Sequence, residues 1–138
     1  MRNRSLPILL AVLALALASL ACSALSQELS LSNLRMAFDE DGANVTSTFS
    51  STDVFYAVAD LNNAPAGTKI DAKWTAVDVQ DTEPGLLFQE QTLDISEESF
   101  SGTIYFQLSN DDGWPTGRYK VDLYLNGAFS QSIEFDVQ

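Results

Sequence analysis

The feature that most constrains this chain is its strict alternation of apolar and polar residues. It is clearest over Lys69 to Asp78, where Ile70, Ala72, Trp74 and Ala76 share one face and Asp71, Lys73 and Thr75 the other. Successive side chains of a strand point to opposite faces, so period two is the mark of a half-buried strand. The same period recurs along most of the chain after residue 28. No stretch carries a convincing helical period and no repeat of solenoid length is visible.

Turn residues divide the pattern into short strands. Leu29, Leu31, Leu34, Met36 and Phe38 predict a first strand with a break or bulge near Asn33. Asp39-Glu40-Asp41-Gly42 is a turn, and Val45 to Phe49 a short edge strand. Val54 to Leu61 places Phe55, Ala57, Ala59 and Leu61 inward and Tyr56, Val58 and Asp60 outward. Asn62 to Thr68 and Gln80 to Gly85 are loops, and Leu86 to Leu93 is an edge strand between Lys69–Asp78 and the Asp94–Glu98 turn. Phe100 to Leu108 turns Ile104, Phe106 and Leu108 inward. Gly117 to Leu125 does the same with Tyr119, Val121, Leu123 and Leu125. Asn126-Gly127 is a hairpin signal, because both central residues of a type I′ turn need positive φ. Ala128 to Val137 is the last strand, burying Ile133, Phe135 and Val137. The small residues Ala57, Ala59, Ala72 and Ala76 leave room for the Trp74 ring in a densely packed core.

The fold class read from this is all-β: an antiparallel sandwich of about seven strands. Trp74 on a central strand resembles the core tryptophan of immunoglobulin-like domains. Gly117-Arg118-Tyr119-Lys120-Val121 resembles their tyrosine corner, with Val121 where a disulfide-bonded domain has its second cysteine. Trp114 to Tyr119, followed by Leu123 to Gly127, is similar to the terminal hairpin of immunoglobulin-like and fibronectin-III-like modules of bacterial exported proteins. The resemblance implies the fold and is nearly silent on function, since such modules serve many roles.

The front of the chain has a different character. Arg2 and Arg4 precede an apolar run from Leu6 to Leu20, short for a membrane span and followed by small residues. A positive start, a short apolar run and small residues are the parts of a secretory signal peptide. Residues 1–21 are therefore expected to be a signal peptide, 22–28 a polar spacer and 29–138 the sandwich domain. Ala21-Cys22 resembles the lipobox of bacterial lipoproteins, which implies cleavage before Cys22 and a diacylglycerol on its thiol. Ser19 stands where that family prefers leucine, and Leu20 where it prefers a small residue. Ser19-x-Ala21 equally suits ordinary signal peptidase, which would leave Cys22 as a free N-terminal residue. The expectation is an exported protein, anchored through Cys22 on one reading and secreted on the other.

Cys22 is the sole cysteine and there is no histidine. No disulfide can form within the chain, and the Ser-His-Asp and Cys-His arrangements are excluded. The 117 residues from Cys22 onward are enough for one domain that folds without staples. Arg2 and Arg4 precede Cys22, so the processed chain carries five basic against 19 acidic residues, a net charge of −14. Such a surface repels nucleic acid and lacks the basic stripe a nucleic-acid binder needs.

Three groups of residues are candidate sites. Asp39 and Asp41, with Asp111 and Asp112, supply loop oxygens of the kind calcium takes, although position 12 counted from Asp39 is Ser50 and no EF-hand results. Asp and Asn also favour turns by bonding to their own backbone. Tyr56 and Tyr105 on one sheet and Tyr124 on the other are expected to face outward, where rings can stack on sugars or stabilise the sheet as cross-strand pairs. Trp114, between Gly113 and Pro115, either caps an open end of the core or offers a contact surface. The acidic residues are scattered over many turns, Ser50 and Ser51 lack a base, and no catalytic pair is legible. Asn44-Val45-Thr46 fits a glycosylation sequon that, behind a bacterial-type signal, is read as chance. The chain is expected to be a non-catalytic module without a cofactor, contacting an envelope protein or polysaccharide; the alternatives are a carbohydrate-binding module using the exposed aromatics, and a calcium-binding sandwich domain or small enzyme.

Overall fold

The computed structural model describes residues 27–138, so the signal peptide, Cys22 and most of the spacer lie outside the described residues. Among the described residues there are eight strands and no helix. They are β1 (Ser30–Ala37), β2 (Thr48–Phe49), β3 (Phe55–Pro65), β4 (Lys69–Val79), β5 (Leu86–Asp94), β6 (Ser99–Leu108), β7 (Gly117–Leu125) and β8 (Ala128–Val137). A three-stranded sheet has the order β1-β3-β6 and a five-stranded sheet the order β2-β8-β7-β4-β5. The inward residues of both sheets form one core, because each alternating strand hides one face. Ile70, Ala72, Trp74 and Ala76 of β4 are all buried, as are Phe55, Ala57, Ala59 and Leu61 of β3 and Tyr119, Val121 and Leu123 of β7.

The structure departs from the periodicity at several points. The edge strand expected over Val45–Phe49 is reduced to Thr48–Phe49, and it runs parallel to β8 where an antiparallel pairing was expected. Val45 forms only an isolated bridge to Ala37 and is exposed. β3 continues to Pro65, so the expected loop from Asn62 is shorter. Asn63, at φ 55°, absorbs a bulge between Leu61 and Ala64 that lets the strand go on. The break expected at Asn33 is a bulge of the same kind, at φ 55°, between Ser32 and Arg35. Val58 is on the outer face but fully buried. It stands in register between Arg35 of β1 and Tyr105 of β6. Leu125 and Ile133 are only half-buried.

Two glutamines tie the sheets together along the open sides of the stack. Gln131 of β8 accepts a hydrogen bond from the Leu34 N–H at 3.0 Å and donates to the Leu31 carbonyl at 3.2 Å, filling the gap left by the β1 bulge. On the opposite side Gln91 of β5 accepts from the Trp74 Nε1–H and donates to the Gln107 carbonyl of β6, each at 3.0 Å. At the end of the stack where β7 begins, Phe49, Phe55, Trp114, Tyr119 and Phe135 form a continuous aromatic cluster. Aromatic pairs of this kind add roughly 0.5–1.5 kcal/mol beyond the area they bury.

Candidate functional site

Tyr105 and Tyr56 come from adjacent strands, β6 and β3, and their ring centroids are 6.0 Å apart on the outer face of the three-stranded sheet. The Glu40 carboxylate, from the turn after β1, holds the Tyr105 phenol above its ordinary pKa by its negative charge and by hydrogen bonding. Beside the pair, Arg35 binds the carbonyls of Asn33, Asp41 and Gly42 and reaches Asp60 Oδ1 at 3.3 Å. The Asn33 amide donates to the other Asp60 oxygen at 2.8 Å. This network fixes the β1 bulge and the following turn against the face that carries the tyrosines.

Tyr105 also borders a groove of about 470 Å³ on the side of the stack where β5 and β6 are both edge strands. Leu93, Ile95, Phe100 and Ile104 line it with apolar surface, and Asp94 and Glu97 add carboxylates. The short connection from β5 into β6 is pinned to the β3–β4 turn: the Ile95 N–H donates to the Thr68 carbonyl and its own carbonyl accepts from the Gly67 N–H. Gly102 leaves space for the Phe100 ring, whose nearest carbon lies 3.2 Å from where a Cβ would stand. The Gln91–Gln107 bond lies two residues along β5 from Leu93 and two along β6 from Tyr105, on the same side of the stack. Sequence reasoning found Tyr105 but missed the groove, which is built from strands of two different sheets.

Trp114 lies against the aromatic cluster. Its ring stacks on Phe55 at 4.7 Å and its Nε1–H donates to the Asp53 carbonyl at 3.2 Å. One side of it borders a smaller cleft of about 190 Å³ with Phe88 and Tyr119. Tyr119 donates its hydroxyl to the Pro115 carbonyl at 2.7 Å, and burial raises its pKa. Tyr124 is on the outer face of the five-stranded sheet, edge-on to the exposed Phe129, with Lys73 Nζ 4.6 Å from its ring centre.

The four aspartates are in two turns at one end of the stack. Asp39 spends both carboxylate oxygens locally: Oδ1 accepts from Ala43 N–H at 2.8 Å and Oδ2 from Asn44 N–H at 2.9 Å. These bonds, that from Ala43 first, lower its pKa. The turn holding Asp111 and Asp112 is organised by Asn110, whose Oδ1 accepts from the Asp112 N–H and whose amide donates to the Gly113 carbonyl. Among the described residues no three His, Cys, Asp or Glu side chains converge to hold a metal ion.

No protein-family model and no curated protein matches the sequence. Solved structures share the fold. The chain is similar to part of the alkylpurine DNA glycosylase AlkC of Pseudomonas fluorescens, at 17% identity and a TM-score of 0.53, over 86% of this chain and 32% of that one. It is also similar to part of a beta-glucosidase from Listeria innocua, at 15% identity and a TM-score of 0.50, over 80% of this chain and 16% of that one. The chain thus spans about a third and a sixth of these two proteins. At such identities the likeness concerns the fold alone.

Proposed function

We propose that this protein is an exported, non-catalytic interaction module: an immunoglobulin-like sandwich, lipid-anchored through Cys22, that binds a protein of the cell envelope along the groove beside β6. Two features support the immunoglobulin-like assignment: Trp74 is buried on β4 directly opposite Val121 of β7, and the Tyr119 hydroxyl closes back on Pro115 four residues upstream. The export reading rests on the Arg2–Cys22 segment.

The observation that carries the binding reading is the groove itself. It combines an apolar floor, a few polar groups and two unpaired strand edges, the composition of a recognition surface. The Tyr124–Phe129 pair beside Lys73 favours a second reading, a carbohydrate-binding module on the five-stranded face. Co-sedimentation with an envelope fraction tests both. Retention abolished by prior protease treatment of that fraction supports a protein partner. Retention on isolated polysaccharide that is lost in Tyr124→Ala replaces it with the carbohydrate reading, and no retention on either overturns both. Detergent partitioning tests the anchor: Cys22→Ala moves to the aqueous phase if the thiol carries lipid, and partitions like the parent if it does not.

A further inference from the structure

The backbone along the groove is an open hydrogen-bonding edge. In an antiparallel pair, successive residues turn their N–H and C=O alternately toward the partner strand and away from it. The Gln107 carbonyl points away from β3, since it is the group that accepts from Gln91 of the other sheet. The same alternation turns the peptide groups of Tyr105 and Thr103 to that side, and both residues line the groove. Gln91 satisfies the edge at Gln107. Beyond it, among the described residues, β6 has no strand partner on that side and no hydrogen bond from the five-stranded sheet reaches the peptide groups of Tyr105 or Thr103. The edge is thus open where the apolar floor of Leu93, Ile95, Phe100 and Ile104 is exposed beside it.

Charge selects what would lie there. The groove contains Asp94 and Glu97 and no basic residue, Glu98 follows in the same turn, and Glu40 stands at the Tyr105 hydroxyl. Lys69, 2.9 Å from Asp94, offsets one of these charges and leaves the others. A second copy joining edge to edge would bring two such acidic rims together, and like charges across an interface oppose association. A basic segment meets complementary charge. An extended one gains main-chain bonds to the edge while alternate side chains enter the apolar floor, the logic of strand addition.

We propose that the Phe100–Tyr105 edge of β6 accepts an added β-strand from its partner, an extended segment of alternating apolar residues flanked by lysine or arginine. This rests on the binding-module reading above and supplies the chemistry of its partner. Six residues of strand at about 3.3 Å each give the edge a length of roughly 20 Å, enough for a short peptide.

The probe is a synthetic peptide of alternating valine and threonine with lysine pairs at both ends, added to the full chain. Binding is expected to slow amide exchange at Thr103 and Tyr105 by about tenfold or more. N-methylation of alternate peptide amides, which removes main-chain donors and keeps side chains and charge, is expected to weaken binding at least about tenfold, as is replacing the lysines by glutamates. Thr103→Pro removes an edge N–H that β3 does not use, a position where a strand tolerates proline, and should block binding, whereas Thr103→Val, which loses the same hydroxyl contact to Asp60 but keeps the N–H, should still bind. Equal binding of the N-methylated peptide overturns strand addition without relying on any variant. So does exchange protection of Thr103 and Tyr105 that rises with the protein's own concentration and needs no peptide, since the occupant is then a second copy. A photo-crosslinker at Tyr105 in envelope membranes separates the two levels. Protein cross-links that disappear with Thr103→Pro support both, and cross-links that persist leave a binding module but refute strand addition. With no protein cross-link, the binding reading itself falls.

Discussion

Gln91 is the hydrogen-bond acceptor of buried Trp74: the indole Nε1–H meets Gln91 Oε1 at 3.0 Å, and the same amide donates to the Gln107 carbonyl of the opposite sheet. One side chain thereby satisfies the only polar atom of the largest core residue and closes the side of the sandwich above the groove. Replacing Gln91 by leucine takes this partner from the indole N–H of a fully buried ring. The expected cost is about 1–3 kcal/mol. Gln91→Glu, which keeps an acceptor, should lose less. Denaturant unfolding followed by tryptophan fluorescence measures both, and equal stability of Gln91→Leu and parent would show that the indole is wet.

Trp74→Ala removes the ring itself. Trp74 is fully buried in a core that both sheets build, and its ring lies 6.2 Å between centroids from that of Phe135. A loss of about 3–5 kcal/mol is expected. A melting temperature within a few degrees of the parent would exclude Trp74 from the core and weaken the immunoglobulin-like assignment with it.

Gly117 opens β7 where the β4 bulge between Ala76 and Asp78 crosses it. Its φ is +145°, and a Cβ there would stand 2.3 Å from the Asp78 carbonyl oxygen and 2.6 Å from Val79 Cα. Both contacts are with backbone, which cannot rotate aside. Gly117→Ala is therefore expected to cost about 3 kcal/mol or more, through strain together with the clash. The Gly117→Ala chain recovered soluble with an unchanged denaturation midpoint would refute the close approach.

Much of this architecture was legible in the residues. Each strand that buries one face announces it by alternation, and Asn33 betrayed its bulge because the apolar residues shift phase from Leu31 to Leu34. The bulge at Asn63 was hidden: Pro65 and Gly67 nearby are turn residues, and they outweighed the continuing strand. Parallel β2 was illegible because two residues carry no period. Gln91 and Gln131 occupy the inward phase of β5 and β8, alongside Leu93 and Ile133. A polar residue at an inward position was the available signal for both clasps, and alternation treats it merely as a gap. The groove had no local signal, since Ile95 and Phe100 look like ordinary strand ends until the Thr68–Ile95 bond pins their connection to the β3–β4 turn.

The calcium candidates yield a separate expectation. Asp39 already accepts bonds from Ala43 and Asn44 through both oxygens, so a cation would have to displace the turn that positions the carboxylate. Millimolar calcium should leave the melting temperature where a chelator leaves it. A calcium-dependent rise would reveal selective binding to the folded state.

Asp60 gives the protein an acid-sensitive contact at the β1 bulge. The Asn33 amide, with Arg35 and Thr103, holds its carboxyl below the ordinary value of 3.8 against the opposing effect of burial. A group whose native pKa lies below its unfolded one stabilises the fold fully above the unfolded value. It loses that contribution as the pH falls through the native value. The stability of the parent should therefore decline on acidification below about pH 4, whereas Asp60→Asn, which cannot titrate, should start lower and show a shallower decline. Because Arg35 also holds the Asp41 and Gly42 carbonyls, protonating Asp60 loosens one of several bonds and not the whole turn. Parallel acid limbs for the two proteins, measured by urea unfolding at successive pH values, would show that Asp60 does not carry the dependence.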